Sequence, residues 1–243
     1  MSQAPQTPFL AAGGNALSFL QAHGLATQGR ALRLHLGCGG VRLEGYVNID
    51  YPVSEHPVQT GLAAEACADI ASLRFPSSSV DEVRSHHVFE HFDRPIALAL
   101  LCHWHGWLKP DGLLVIETPD LLAGARQLLL PWYPFPRKQA VIRHLFGSQE
   151  AHWAVHRDGW YAEKFRRVLA ELGFGNLKIR RSKWRMLRNI TVWARKTRAM
   201  QPRELRDRSV EILRQSLVDE GTSELRMWKV WQSQLDAALE GAH

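Results

Sequence analysis

Residues 31–40 read ALRLHLGCGG, and this short stretch decides the fold class. Three leucines alternate with Arg33 and His35, which is the period-two pattern of a β-strand, and a glycine-rich turn comes directly after them. Tight turns need glycine in any fold, so the Gly-x-Gly gains its meaning from the order of the segments that follow it.

The segments after this turn predict three more strands with a helical connection among them. Within 94–108, Ile96, Leu100, Trp104 and Leu108 recur every four residues, which predicts a helix with one buried face. The strands read GYVNIDYP at 45–52, SVDEVRSHH at 79–87 and DGLLVIETPD at 111–120. Strands separated by helical segments predict a parallel α/β sheet.

The next part of the chain departs from this alternation. Residues 120–159 include LLLPWYPFPRKQ, whose three prolines and three aromatic residues predict an irregular insertion that caps a site. A helix is predicted within 159–175. Two antiparallel strands, NLKIRRSKW at 176–184 and NITVWARK at 189–196, are predicted to close the sheet.

Beyond Met200 the chain is predicted to be helical. The segment 222–241 carries an apolar stripe that must be covered, either by the domain itself or by a second subunit in a homodimer. The stripe consists of Leu225, Trp228, Trp231, Leu235 and Leu239.

The predicted organisation therefore has three parts. Residues 1–30 form a loose N-terminal leader with a short helix, and residues 31–199 form one domain with a capping insertion at about 120–159. Residues 200–243 form a C-terminal helical extension. A chain of 243 residues with 45% hydrophobic content has enough apolar material for a sizeable core.

The composition excludes some classes of protein and leaves others open. No apolar run approaches the roughly 18–20 residues of a membrane span, so no span is predicted. The three cysteines, Cys38, Cys67 and Cys102, share no metal-type spacing and favour reduced thiols in a cytoplasmic protein.

The positive charge is concentrated in one region. The formal net charge is +6, and residues 157–208 hold 16 Lys and Arg against five Asp and Glu. This excess indicates either an anionic partner or a solvated basic face. The anionic partner can be a phosphorylated small molecule, nucleic acid or an acidic membrane surface.

The glycine-rich turn does not match the two most familiar nucleotide motifs. Leu43 stands where the dinucleotide fingerprint, counted from Gly40, needs its third glycine. The Gly-Lys-Ser/Thr of a P-loop is absent from the sequence. The residues after the turn form a more specific pattern: an acid at the end of the second strand, Asp50, then Asp69, then HHVFEH at 86–91 and LKPDGLLVIETP at 108–119.

This order of motifs resembles the class I S-adenosylmethionine-dependent methyltransferases, and more narrowly a bacterial subgroup with LGCG and SHVLEH motifs. The resemblance covers residues 31–119 and resumes at 156–174. It implies a Rossmann-like methyltransferase fold: an α/β architecture with a mostly parallel twisted sheet, an antiparallel C-terminal hairpin, and helices on both faces. It also implies S-adenosylmethionine as the cofactor.

The resemblance assigns cofactor contacts to matching positions. The glycines allow the backbone to approach the methionine portion, Asp50 accepts hydrogen bonds from the ribose hydroxyls, and Tyr51 flanks the adenine. Asp69 and Ile70 meet the adenine amino edge, and His86 lies beside the sulfonium. The full set is Leu36, Gly37, Cys38, Gly39, Asp50, Tyr51, Asp69, Ile70 and His86. For Asp50 and Asp69, a purely local role as turn or cap residues stays open.

Two features depart from the wider class. His35 stands where many members carry an acid that binds the cofactor's amino group. The link from Gly37 to the second strand is also short, which leaves room for only a vestigial first helix.

The histidine-rich stretch SHHVFEHF at 85–92 comes at the end of the third strand. Methyl transfer to a hydroxyl needs the acceptor's proton removed, and a histidine with a pKa near neutrality suits that role. We therefore predict His87 as the first catalytic candidate. His152 and His156 are second candidates, and of these two we predict His156. A hydrogen-bonded structural histidine is the alternative at each position. Glu90 and His91 are expected to fix the local helix.

A metal is not required by the sequence. The glutamate is misplaced for a zinc-protease motif, although His87 and His91, four apart on one predicted helical face, are a geometrically feasible pair.

The subgroup is associated with bacterial surface-glycan and natural-product pathways. The resemblance therefore favours O-methylation of a sugar or other small-molecule hydroxyl on a glycan precursor that can carry phosphate. Aromatic residues of the insertion are predicted to stack on sugar faces, or else simply to pack the cap: Trp132, Tyr133, Phe135, Trp153 and Trp160. Basic residues of the hairpin are predicted to hold phosphate, or else to be solvated: Arg180, Arg181, Lys183, Arg185 and Arg188.

Two alternatives remain. An RNA methyltransferase would use the basic residues with Trp184 and Trp193, but the sequence has no recognised RNA-binding module, so nucleic acid is disfavoured. A non-catalytic scaffold with a methyltransferase fold is the other alternative, and the intact glycine turn, Asp50 and Asp69 argue against it.

Overall fold

The computed structural model describes residues 7–52, 54, 58, 61 and 63–241. This part of the chain forms one seven-stranded sheet with the order β3-β2-β1-β4-β5-β7-β6. The strands are β1 Arg33–Leu36, β2 Val47–Asp50, β3 Ala66–Cys67, β4 Val80–His86, β5 Leu108–Pro119, β6 Phe174–Trp184 and β7 Leu187–Lys196. Strands β1 to β5 pair in parallel, and β7 is antiparallel to both β5 and β6. The predicted mostly parallel sheet with an antiparallel hairpin is confirmed.

Helices pack around the sheet. Over the described residues they are α1 Ala16–Ala22, α2 Arg94–Trp107, α3 Leu121–Leu128, α4 Phe135–Phe146, α5 Ala162–Glu171, α6 Pro202–Arg214 and α7 Thr222–Glu240. The link from β1 to β2 contains turns rather than a helix, in agreement with the short spacing in the sequence. The short strand β3 was not predicted, because two residues carry no periodicity that a sequence can reveal.

An aromatic cluster in the core fixes the segment after β4. The Phe89 ring lies 5.5 Å from the Trp104 ring and 4.8 Å from the Trp160 ring, measured between centroids. Trp160 in turn stacks on Phe165 of α5 at 4.8 Å. All four side chains are buried, and each contributes on the order of 2 kcal/mol through burial. The 3₁₀ turn Phe89–His91 is therefore anchored to the core by its first residue.

The prediction of an irregular insertion at 120–159 is wrong in part. The helices α3 and α4 occupy much of it, and α4 begins inside the proline-rich stretch. Pro134 is the N-cap of α4 and Pro136 lies in its first turn. These positions need no backbone N–H donor, so the prolines start this helix rather than prevent it.

The leader is also more ordered than predicted. Its first six residues lie outside the described residues, but Ala16 and Leu20 of α1 are buried in the main core. Phe9 forms a bridge alongside Cys67 of β3, and the Leu10 N–H donates to the Cys67 carbonyl at 2.8 Å.

The C-terminal extension packs on α2 of its own chain through α6 and α7. Leu235 of the predicted stripe is fully buried, and the indole N–H of Trp228 donates to the Val210 carbonyl at 3.1 Å. Arg206 holds Asp236 with two hydrogen bonds of 2.8 and 2.9 Å. The domain itself thus covers part of the stripe, and the homodimer stays a prediction. No helix of the described residues is long and apolar enough to cross a membrane.

Candidate active site

The carboxyl ends of β1, β2 and β4 meet at one edge of the sheet, beside a cavity of about 340 Å³. β1 lies between β2 and β4, so the chain winds outward from it in both directions. This is the switch point at which open α/β sheets bind ligands. The cavity is lined by Gly37, Gly39, Asp50, Tyr51, Ile70, His87, Val88, His91, Phe92, His152, Trp153 and Arg157.

Asp50 ties the glycine turn to the end of β2. Its Oδ2 accepts the Gly39 N–H at 2.5 Å, and its Oδ1 accepts the Tyr51 N–H at 2.7 Å. The Gly37 N–H donates to the Ile49 carbonyl at 2.8 Å. The carboxylate is therefore held in place at the cavity wall by backbone donors on both sides.

Gly37 is required by its backbone and by its neighbour. Its φ of +71° lies in the left-handed region, and a Cβ on this residue would run into the side chain of Val88. The turn after β1 and the turn after β4 are thus in direct contact, and both line the cavity.

Five of the nine predicted cofactor residues line the cavity, namely Gly37, Gly39, Asp50, Tyr51 and Ile70. Cys38 and Leu36 point into the protein, and burial raises the pKa of the Cys38 thiol to about 12. Asp69 caps a 3₁₀ turn by accepting the Ala71 N–H at 2.9 Å, as its local alternative predicted.

His86 does not line this cavity. Its ring lies against His35, with centroids 5.5 Å apart, and burial lowers the pKa of His86 to about 4. His35 is itself buried, and its Nδ1 lies 2.9 Å from Asn48 Oδ1. Burial also lowers the pKa of His35, so neither ring carries a charge at neutral pH. His35 therefore supports the β1–β2 connection.

His87 occupies a strained position between two carboxylates. Its φ of +53° is left-handed, and its backbone N–H donates to the Glu117 carbonyl at 2.8 Å. Its Nδ1 lies 3.3 Å from Glu90 Oε1, and its Nε2 lies 3.4 Å from Glu117 Oε1.

These two carboxylates keep His87 protonated. Burial alone would lower the pKa of the ring, but the interactions with Glu117 and Glu90 outweigh burial and raise the pKa to about 10. The hydrogen bond from His87 also lowers the pKa of Glu117 to about 2. The sequence argument assumed a His87 pKa near neutrality, and this assumption is wrong. At neutral pH the ring is an imidazolium that donates hydrogen bonds and holds no lone pair for a proton.

Asn189 of β7 joins His87 to a further histidine. Its Nδ2 lies 3.1 Å from His87 Nε2, and its Oδ1 lies 2.8 Å from His144 Nε2. A protonated His87 requires the rotated amide, in which Oδ1 faces His87 Nε2. Rotating the carboxamide by 180° exchanges its NH₂ and C=O groups between the two rings. The bridge can therefore serve either protonation state of His87.

The predicted helical face that would carry His87 and His91 does not form. Residues 89–91 make a 3₁₀ turn, and α2 begins only at Arg94. His91 instead contacts His156, with ring centroids 4.6 Å apart and nearly perpendicular planes. His156 Nε2 lies 3.9 Å from Glu90 Oε1.

The pKa values of Glu90 and His156 are both lowered, but for different reasons. Burial would raise the pKa of Glu90, but His87, His91 and His156 together lower it, so Glu90 stays charged. Burial lowers the pKa of His156 to about 4, which leaves this ring neutral at neutral pH. A base with so low a pKa takes up a proton only weakly. The lowered pKa therefore gives no support to the predicted role of His156 as a catalytic base.

Two further cavities lie beyond His87. One of about 330 Å³ is bordered by Glu90, His91, Arg143, His156 and Trp153, and another of about 530 Å³ by Glu117, His144, Lys183, Trp184 and Asn189. His87 borders these two cavities and the one at the switch point. It is the side chain that the three cavities share.

The aromatic residues of the insertion divide between different roles. Trp153 lines two of these cavities, whereas Trp132 and Phe135 are each 72% exposed and line none of them. Trp160 is only 2% exposed and belongs to the core cluster. Among the basic residues of the hairpin, Lys183 borders a cavity, and Arg181 is bound to Asp120 at 2.9 Å.

Sequence reasoning missed several residues of this site. Glu117 could have been found, because it lies at the carboxyl end of a predicted strand, where ligand-facing groups collect. No such signal marks Asn189, His144 and Arg143. Their positions beside His87 depend on how the β6–β7 hairpin and α4 pack against the sheet.

The strand order, with the cavity at the switch point, is that of a Rossmann-like methyltransferase fold. A family model described as a methyltransferase domain matches residues 14–164, which is more than half of the chain. The protein belongs to this methyltransferase-domain family. No curated protein matches the sequence.

Solved structures similar to the chain include three from different organisms. A SAM-dependent methyltransferase from Methanosarcina mazei shares 16% identity with a TM-score of 0.46, over 72% of this chain and 96% of that one. A SAM-dependent methyltransferase from Archaeoglobus fulgidus shares 17% identity with a TM-score of 0.45, and the match covers 74% of this chain and 93% of that one. The 1,6-didemethyltoxoflavin-N1-methyltransferase of Burkholderia thailandensis shares 16% identity with a TM-score of 0.46, over 75% and 77%; it was solved with 1,6-didemethyltoxoflavin and S-adenosylhomocysteine bound.

Replacing Gly37 with alanine should destabilise the protein more than the same change at Gly24. The two glycines have nearly equal φ values, +71° and +70°, but a Cβ at Gly24 meets no atom within 4 Å. We expect about 1–2 kcal/mol for the left-handed backbone in both variants. Gly37→Ala should lose roughly 1–3 kcal/mol more because of the overlap with Val88. Urea denaturation measures both values, and equal losses would refute the contact between the two turns.

The stabilisation provided by the His87 charge should depend on pH. The folded-state pKa of about 10 lies above the ordinary value of 6.5, so the stabilisation is complete below pH 6.5 and is lost as pH rises towards 10. The partner Glu117 adds a lower limit, since its contribution is lost as pH falls from 4.5 towards 2.

The test compares wild type with His87→Asn, because asparagine tolerates the left-handed backbone. The difference in unfolding free energy should be largest between about pH 4.5 and 6.5 and should shrink by about pH 9.5. NMR titration of the His87 ring provides a second readout. Two results together would contradict the proposed interaction of charged His87 with Glu90 and Glu117. These are a ring that titrates near its ordinary pKa of 6.5 and a difference in stability between wild type and His87→Asn that does not change with pH.

Proposed function

We propose that the protein is an S-adenosylmethionine-dependent methyltransferase that methylates a hydroxyl oxygen of a sugar or another small glycan-precursor molecule. The observation that carries this proposal is the cavity at the switch point. Gly37, Gly39, Asp50 and Tyr51 converge there, and the cavity ends at His87.

The residues at the cavity fit the proposed cofactor. Gly37 and Gly39 leave the backbone accessible, because neither residue has a side chain. The Asp50 carboxylate, fixed by two backbone donors, is placed to accept hydrogen bonds from ribose hydroxyls. Tyr51 and Ile70 provide side-chain surface for a flat heterocycle. When bound, the cofactor supplies an electrophilic methyl group on a sulfonium.

The two cavities beyond His87 support an acceptor with hydroxyl and anionic groups. Arg143 borders one and Lys183 the other, and both cations suit a phosphate or carboxylate. Trp153 and Trp184 border the same cavities and provide surface on which a sugar ring can stack. The composition of these walls therefore favours a phosphorylated or otherwise acidic sugar derivative.

His87 is proposed to orient the acceptor rather than to remove its proton. The ring is charged at neutral pH and lies where the cofactor cavity and the acceptor cavities meet. Both ring nitrogens already face carboxylates, so the positive charge of the ring, and not a free N–H, would attract an acceptor oxygen. Methyl transfer is an in-line displacement, so much of the rate can come from holding the two reacting atoms in line.

Asp50→Asn should weaken cofactor binding by about 10- to 100-fold, because a hydrogen bond to a charged group contributes roughly 1.5–3 kcal/mol. Calorimetric titration with S-adenosylmethionine and S-adenosylhomocysteine measures this loss. Asp207→Asn, an exposed acid on α6, is the matched control and should bind as wild type does. Thermal unfolding shows whether each variant remains folded. Absence of binding by wild type, or unchanged binding by Asp50→Asn, would refute the proposed cofactor site.

Trp153→Ala should reduce methyl transfer to the true acceptor about three- to tenfold, since aromatic contacts contribute roughly 0.5–1.5 kcal/mol. Trp132→Ala should stay within about twofold of wild type, because this exposed side chain borders none of the described cavities. Release of S-adenosylhomocysteine with a panel of sugar phosphates and nucleotide sugars measures turnover. Equal effects of the two substitutions would argue against an acceptor at Trp153.

A further inference from the structure

We propose that Glu90, His91 and His156 form a binding site for one divalent first-row transition-metal ion, with Zn²⁺ as the best-matched ion. The site would lie on the wall of the acceptor cavity that contains all three side chains. It goes beyond the proposed function, and the sequence alone gave no reason to require a metal.

The donor set has the chemistry that such ions prefer. Two imidazoles and one carboxylate are the three protein ligands of many catalytic zinc sites, which keep a further position open. One ligand atom from each of the three residues lies within 4.8 Å of the others. Zinc bonds of about 2.0–2.2 Å place neighbouring ligand atoms roughly 3–3.5 Å apart, so modest side-chain rotations would complete the site.

The buried groups lack partners that an ion would supply. Glu90 is only 1% exposed, and its Oε2 finds no hydrogen-bond partner among the described residues. Its other oxygen, Oε1, already faces His87 Nδ1 at 3.3 Å. His91 Nδ1 is likewise buried and has no partner within the described part of the chain. A buried carboxylate oxygen without a partner is costly, and a bound cation removes that cost.

The backbone holds the two segments of the site together. The Arg157 N–H donates to the Glu90 carbonyl at 2.8 Å, which fixes His156 beside Glu90. On the other side, the His156 N–H donates to the Phe146 carbonyl at 3.1 Å. Phe89, the residue before Glu90, is locked in the aromatic core cluster. The three ligands are therefore brought together by the fold without the ion.

A role in methyl transfer rests on the proposed function. An acceptor hydroxyl bound at the open position of the ion would have a lowered pKa and could release its proton to water. The oxygen would then need no protein base.

The experiment uses the full-length protein after dialysis against EDTA. Calorimetric titration with ZnCl₂ should show one site per chain in wild type. Glu90→Gln and His156→Gln should each weaken binding at least tenfold. His23→Gln removes an exposed histidine at the end of α1, outside this cluster, and should leave binding unchanged. Thermal unfolding without metal checks that each variant folds.

Binding of Co²⁺ provides a second readout, because cysteine ligation adds a thiolate charge-transfer band that a histidine and carboxylate site lacks. No Zn²⁺ binding by wild type would overturn the proposal. So would wild-type affinity in both Glu90→Gln and His156→Gln, or a thiolate band with Co²⁺.

The two proposals can fail separately. Calorimetry with S-adenosylmethionine tests the cofactor site without reference to the metal. If Zn²⁺ binds as expected but the EDTA-treated enzyme turns over at the full rate, the metal site stands and its role in methyl transfer is refuted.

Discussion

The candidate site depends on how the chain leaves the sheet after β4. His87 adopts a left-handed backbone, its N–H binds the Glu117 carbonyl of the neighbouring strand, and Phe89 enters the core two residues later. These constraints force a tight turn in place of a continued strand. Because Val88 lies within this turn and packs against Gly37, the same turn also forms a wall of the cavity after β1. This one turn after β4 thus gives the cavity at the switch point and the two cavities beyond His87 their common boundary.

Burial divides the histidines of this region into two chemical groups. His86, His144 and His156 are kept neutral, mainly because burial disfavours the charged ring. His87 is kept charged, because two carboxylates outweigh the same effect. Residue type and spacing in SHHVFEHF could not separate these outcomes. The difference comes from Glu90 together with Glu117, which the neighbouring parallel strand brings beside His87.

The sequence predicted the structure well where the structure depends on residues that are close together along the chain. The alternation around Leu34 and the short apolar run that ends at Asp50 were enough to predict β1 and β2, whereas a shared ligand site at their ends was implied only by the resemblance to methyltransferases. The prediction failed where several segments meet. Trp132 and Trp153 looked equivalent in sequence, yet Trp153 lines the cavities, whereas Trp132, in the turn between α3 and α4, is exposed. The pairing of His91 with His156 was equally hidden, since it depends on the backbone bond from Arg157 to Glu90.

The two edges of the sheet explain a further part of the positive charge. An edge strand with unpaired backbone groups can recruit a strand from another molecule, and lysine or arginine on such a strand opposes that pairing. At one edge, β3 is only two residues long and is bridged by Phe9. At the other edge, the long strand β6 carries Lys178, Arg180 and Lys183. Basic side chains on this exposed edge therefore oppose pairing with a strand of another molecule, independently of any ligand.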